Sequence, residues 1–282
     1  MKQHFILTMM VLLTAQGIAN CQSTSSIPSD YHKGSFYVFW GWNRGCFTNS
    51  DIQFKGDDYN FTLSNVIAND RQSPFDFALY FSPQRLTIPQ YNVRFGYFIT
   101  DKYSISIGTD HMKYVMKNNQ TVKINGYINN SGTEYDGNYV DQDIVLKQNF
   151  LLFEHTDGLN YVNTELRRMD HLLQKKNFSL HLIEGVGIGA LVPKTNTTLL
   201  AKPRHDAFHL SGYGTDLMVA LNATFFKHFF VQSELKGGYI NMPDIRTTQS
   251  KSDSANQHFF FAQANIVFGV NFNISKKLHS SE

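Results

Sequence analysis

Residues 259–274 read Phe-Phe-Phe-Ala-Gln-Ala-Asn-Ile-Val-Phe-Gly-Val-Asn-Phe-Asn-Ile. Within this stretch Phe260, Ala262, Ala264, Ile266, Phe268, Val270, Phe272 and Ile274 are apolar at every second position. Gln263, Asn265, Gly269, Asn271 and Asn273 stand between them, with Val267 among them. Period two is the strand period, because successive side chains point to opposite faces. A strand in a soluble domain runs ~5–6 residues. This run is far longer. It suits a tilted membrane-crossing strand of ~9–11 residues with an extension beyond the bilayer.

Seven other segments show the same alternation. Residues 35–44 put Phe36, Val38, Trp40 and Trp42 on one face; residues 90–99 put Tyr91, Val93, Phe95, Tyr97 and Ile99 there. Residues 103–116, 159–173, 178–191, 212–223 and 229–240 follow the pattern. In 178–191 Glu184 falls among the apolar set, which predicts a bulge or an interfacial position. The gaps carry the topology. Short gaps at Thr100-Asp101-Lys102, Gln174–Asn177 and Phe226-Lys227-His228 alternate with long ones at 45–89, 117–158, 192–211 and 241–257. Short periplasmic turns, long extracellular loops and an even strand count give this alternation. The expected fold is all-β: an eight-stranded antiparallel up-and-down transmembrane β-barrel with extracellular hairpin loops.

Composition agrees. Aromatics make up 14%, with 24 Phe and 14 Tyr, and charged residues only 17%, against ~25% in soluble domains. Mean hydropathy is -0.29, and no stretch approaches the ~20 apolar residues of a spanning helix. A soluble β-sandwich or lipocalin-like barrel gives the same alternation. Against it stand the gap lengths, the aromatics near strand ends, and a polar face rich in Gly and small residues. The net charge is +2 with scattered basic residues, so no nucleic-acid partner is expected.

Lys2 and His4, the apolar run Phe5–Ala15 and the small Gly17-Ile18-Ala19 form a secretory leader. The expected organisation is leader 1–20, periplasmic linker 21–33, barrel 34–275 and tail 276–282. Cys21 follows the cleavage site inside a degraded lipoprotein box, and Cys46 is the other cysteine. Lipidation of Cys21 and pairing of Cys21 with Cys46 both stay open.

The leader, the strand pattern and the closing aromatic strand Phe259–Ile274 resemble the small outer-membrane barrels of the OmpA and OmpW type. They resemble in particular the "outer membrane protein beta-barrel" sequences common in Bacteroidota. The resemblance covers residues 34–275. It implies the outer membrane of a Gram-negative cell, with outer-membrane lipid, lipopolysaccharide and the barrel-assembly machinery as partners. The chain departs from the type by running on through Lys276–Glu282 past its last aromatic strand.

Eight strands leave an interior that side chains just fill. The inward positions include Arg94, Arg167 and Lys236, and Asp110, Glu165, Asp216 and Glu234. Buried charges must pair, so these seven are expected to form a salt-bridged lumen network that fixes strand register. Gly185, Gly187 and Gly189 share one face and make room for bulky lumen neighbours.

For chemistry, the stretch Glu154-His155-Thr156-Asp157-Gly158 stands out. Some outer-membrane lipid hydrolases place a His base and a Ser nucleophile at such a level. Here Thr156 directly follows His155, and adjacent strand residues face opposite ways, so the bland reading is a loop-to-strand turn at Asp157-Gly158. His111 approaching His155 across the rim completes the candidate catalytic set His155, Asp157, His111. Lys55-Gly56-Asp57-Asp58 reads as the turn of an extramembrane hairpin, and residues 120–128 with 143–153 as a second one. His181, His205 and His209 lack metal-site spacing, and Asp57 and Asp58 supply too few oxygens for calcium. No metal and no cofactor is expected.

The favoured role is non-enzymatic: a plugged barrel that serves structure or surface interaction, meeting an extracellular ligand through loops 45–89 and 117–158. Alternatives are a lipid A or phospholipid acyl hydrolase and a narrow solute transporter.

Overall fold

The computed structural model describes residues 31–82, 84–85 and 88–273. The leader, most of the linker with Cys21, and the tail lie outside the described residues. Among the described residues the chain folds into fifteen strands and one short helix. Eight strands close a ring: β1 (Ser35–Phe47), β5 (Tyr91–Phe98), β6 (Tyr103–Met116), β9 (Leu151–Lys175), β10 (Phe178–Leu191), β13 (Gly212–Phe225), β14 (Phe229–Arg246) and β15 (Ser254–Asn273). All neighbours are antiparallel, and β1 pairs β15 along its whole length, from Ser35↔Asn273 to Phe47↔Phe261. The alternating run in β15 is therefore one side of the seam of the barrel.

The outward face is apolar. Ile105, Ile107, Leu166, Val186, Ile188, Leu217, Leu221, Leu235, Ile266 and Phe268 are exposed. Aromatic rings bound this band. Phe36 packs on Tyr97 at 4.8 Å and Phe178 on Phe225 at 5.4 Å on the short-turn side, while Trp40, Trp42, Tyr213 and Phe260 flank the long-loop side. Hydrocarbon is the environment in which such a belt is satisfied, and a closed ring leaves no open backbone edge within it. Glu184 sits on this face in unbroken register opposite Arg168 and Val219. The irregularity of β10 falls instead between Leu180 and His181.

On the long-loop side the strands continue past the belt and invert their polarity. On β14 the inward set changes from Gln232, Glu234 and Lys236 to Ile240 and Met242. On β15 it changes from Asn265 and Gln263 to Phe261 and Phe259. Further strands grow from these extensions and close a dome. β2 (Ser50–Lys55), β3 (Tyr59–Val66), β7 (Thr121–Ile128) and β8 (Gly137–Val145) follow upper β15 in that order; β4 (Ala68–Asp70) pairs upper β6; β11 (Lys194–Leu199) and β12 (His205–Phe208) extend upper β9. Inward residues of these strands, including Ile52, Phe54, Phe61 and Ile124, form one apolar core with Phe153 of β9, Phe259 of β15 and Phe150 from the turn before β9. Outside, Asp51, Gln53, Lys55 and Lys123 face water.

The first hairpin turns at Lys55-Gly56-Asp57-Asp58, where Gly56 N donates to Tyr59 O at 2.9 Å. The second hairpin differs from the sequence expectation: its return arm is 137–145, and residues 151–153 already belong to β9. Glu154–Gly158 is likewise no loop-to-strand turn. It lies inside the 25-residue β9, where Tyr114↔His155 and Met112↔Leu159 give β9 two extra residues against β6. Gly158 at φ +123 absorbs that bulge, a backbone region that favours glycine.

Candidate functional site

The interior is built in three layers, which the inward residues of β9 traverse in turn. Met169 lies in the lowest layer; Arg167, Glu165 and Asn163 in the middle; Tyr161 and Leu159 reach the dome core.

The lowest layer is aromatic. Tyr37, Phe39, Phe98, Ile183, Met218 and Phe230 pack together, and Tyr31 joins them from before β1. The Tyr31 hydroxyl is 2.9 Å from Thr224 Oγ1, and its ring lies 5.1 Å from Phe98 and 5.2 Å from His181. Tyr31, from the segment before β1, thus fills the short-turn mouth of the barrel, a role no motif signals. Between this layer and the next is a void of about 10 Å³, room for one water at most.

The middle layer holds the seven charged residues, all buried. Glu165 is the hub. It accepts from Arg94 at 2.6 Å, Arg167 at 2.6 Å and Lys236 at 2.7 Å. Lys236 also donates to Asp110 at 2.7 Å and lies 3.7 Å from Glu234. Arg167 reaches Glu234 at 3.1 Å and stands 5.4 Å over the Phe39 ring. Asp216 stands apart from the cations and accepts from the Tyr161 hydroxyl at 2.8 Å. The β-period explains the assembly, since each residue shares the parity of the inward row on its strand.

Several partners escaped the sequence reading. Asn163 donates to Asp110 at 2.9 Å, Gln232 to Glu234 at 3.0 Å, and Asn265 to Glu234 at 2.9 Å. Their signal is that same inward parity, which uncharged amides display less visibly. Gly185, Gly187 and Gly189 do face the lumen side: a Cβ there would meet Arg167 and Met218, Asp216, and Asn163, respectively.

The candidate catalytic set does not assemble. His155 faces inward and is fully buried in the dome, with Nδ1 2.9 Å from Thr195 Oγ1 and its ring 5.5 Å from Tyr114 and 5.0 Å from Phe153. Burial holds its imidazole down to about 3, an effect that a hydrogen bond with Gln257 partly offsets. His111 follows the inward Asp110 and so points out of the wall, stacked on Tyr91 at 4.8 Å with Nδ1 2.8 Å from Asn160 Oδ1. The two histidines lie on opposite faces, so they do not converge across the rim. Asp157 is exposed on the bulge and pairs with Lys194 at 3.1 Å. The neighbouring Glu154 is held by Arg71 at 2.9 Å and Asn196 at 2.8 Å.

Among the described residues no group of His, Cys, Asp and Glu is arranged to hold a metal ion. Cys46 is exposed and has no disulfide partner among the described residues; Cys21 lies outside them.

No family model matches the chain, and no curated protein matches its sequence. Solved structures do resemble it in outline. The outer membrane protein OprG from Pseudomonas aeruginosa aligns with a TM-score of 0.41 and 9% identity, over 86% of this chain and 98% of that one. The outer membrane protein AlkL, determined in DMPC lipid bilayers, gives 0.39 and 10% over 92% and 100%. Ail, the attachment invasion locus protein of Yersinia pestis, gives 0.31 and 8% over 85% and 99%.

Proposed function

We propose that this chain is an outer-membrane barrel with a plugged lumen, whose work is done by the surface of its extracellular dome. The observation that carries the reading is the interior fill. Aromatic layer, charge network and dome core follow one another with about 10 Å³ of free space recorded between the first two. A solute path needs a wetted channel, whereas here each cation of the middle layer sits against a carboxylate at 2.6–2.7 Å. The outward belt supports residence in lipid, with lipopolysaccharide at the outer rim and insertion by the barrel-assembly machinery. The dome supports a contact role: its core is apolar and its outer face polar, so it stands in water as a folded body above the membrane.

Two measurements test this. Purified protein in planar bilayers should show no steady conductance; a large stable current refutes the plug. Charge-reversing substitutions on the outer faces of β2, β3 and β7, such as Lys55→Glu and Lys123→Glu, should weaken binding to lipopolysaccharide or to a surface partner while the barrel stays folded. Binding that is unchanged across all outer faces overturns the contact role.

A further inference from the structure

The loop between β4 and β5 carries a short helix, α1 (Phe77–Phe81), capped by Asp76, whose side chain accepts from Leu79 N at 2.8 Å. The helix has two unlike sides. Tyr80 is buried, donates its hydroxyl to Ser73 O at 2.7 Å and accepts from Arg44 at 3.1 Å. The opposite side is bare aromatic surface: Phe77 is 70% exposed, Phe81 49%, and Phe75 just before them 74%. Phe77 and Phe81, one turn apart, stack at 4.7 Å. Such a cluster of uncovered rings on a polar-faced dome calls for an apolar partner.

The position says which partner. Phe81 packs at 5.2 Å on Trp42, and Trp42 at 5.8 Å on Phe268. Trp42 belongs to the outward belt on its long-loop side, and Phe268 to the same belt below it, so the three phenylalanines continue that belt sideways. Lys113 Nζ donates to Ile88 O at 2.8 Å and holds the end of the loop beside the wall. We propose that this segment is a membrane anchor. Phe75, Phe77 and Phe81 enter the headgroup–acyl boundary of the outer leaflet, as an interfacial amphipathic element does. The lipid contact of the protein then reaches beyond its barrel wall, and residues 75–81 are held flat on the membrane beside the dome. This rests on the membrane reading of the barrel.

The test is spin-label accessibility in the full chain, reconstituted in phosphatidylcholine vesicles on a Cys21→Ser, Cys46→Ser background. Labels go on Phe77→Cys, on Ile188→Cys in the belt, and on Asp57→Cys at the dome tip. The label at 77 should match that at 188, with high collision with oxygen and loss of collision with an aqueous nickel chelate. If 188 lies in lipid while 77 meets nickel as 57 does, the anchor is refuted and the barrel reading stands. Shielding of 77 from both reagents means a protein covers the rings, and also refutes the anchor. Nickel access at 188 removes the membrane reading itself, and the anchor with it.

Discussion

Replacing Glu165 by Gln should cost the barrel more than any other single change of charge in the lumen. Glu165 is the carboxylate shared by Arg94, Arg167 and Lys236. Lys236 would keep Asp110 at 2.7 Å, and Arg167 would keep Glu234 at 3.1 Å. Among the described residues Arg94 has no second carboxylate within an ion pair, and its side chain is 1% exposed. The substitution therefore strands a buried guanidinium on Ser106, 3.1 Å away, and Asn163. Breaking a buried pair from one side costs about 3–5 kcal/mol. The reverse change, Arg94→Met, leaves Glu165 with two cations and should cost about 1–3 kcal/mol, the price of unmade hydrogen bonds. The double variant should be less damaged than the sum, with a coupling of about 1–3 kcal/mol. Urea unfolding from detergent micelles measures all four proteins. Trp40 and Trp42 are the only tryptophans in the chain and both face outward on β1, so their emission reports the wall. A loss below about 1 kcal/mol for Glu165→Gln, or strict additivity in the cycle, refutes the account of the lumen as an interdependent charge network.

Three further outcomes follow from the same geometry. His155 is neutral in the dome, with its imidazole held at about 3 against 6.5 when unfolded, so the unfolded chain takes up a proton first. Dome stability should fall as pH drops from 6.5 towards 3, by at most about 5 kcal/mol; amide exchange in β2 and β3 should quicken at pH 4, and His155→Phe should flatten that profile. Gly41→Val should block closure, because a Cβ there lies 2.1 Å from Ile266 O and 2.5 Å from Val267 Cα; normal heat-modifiable migration of the variant would contradict the tight β1–β15 seam. Leu217, 69% exposed, separates lipid from water: Leu217→Arg should cost about 2–4 kcal/mol if its side chain meets hydrocarbon near the bilayer midplane, and a change within about 0.5 kcal/mol would mean that this face is wet.

How far the sequence carries the fold differs from strand to strand. Residues 103–116 and 178–191 coincide with β6 and β10, because turn residues bracket them and their apolar set keeps one parity. The inward rows that carry the buried charged residues keep the same kind of parity within a bracketed strand. Which of them touch was not legible, because the strands are staggered and distant positions come level: Lys236 and Asp110, 126 residues apart, lie 2.7 Å from each other. β9 was read too short, as 159–173, because the bulge at Thr156–Gly158 interrupts its rhythm. β8 was misplaced because Asp141 takes φ +50 and its alternation is weak.

The shortened readings at the dome ends of β14 and β15 have a different cause, which is itself informative. On β14, β15, β6 and β9 the apolar residues change parity partway along. On β15 they are even-numbered from Ile266 to Ala262 and odd-numbered from Phe261 to Ala255. A strand with lipid outside and polar groups inside must be apolar outward, while the same strand in water must be apolar inward. The parity change therefore marks where each strand leaves the hydrocarbon, and a period-two search that assumes one phase reads it as the end of the strand. The girdle residues Trp42, Tyr213 and Phe260 and the exposed rings of α1 gather at this border. One physical boundary thus accounts for the shortened assignments of β14 and β15, the aromatic ring and the dome that rises above it.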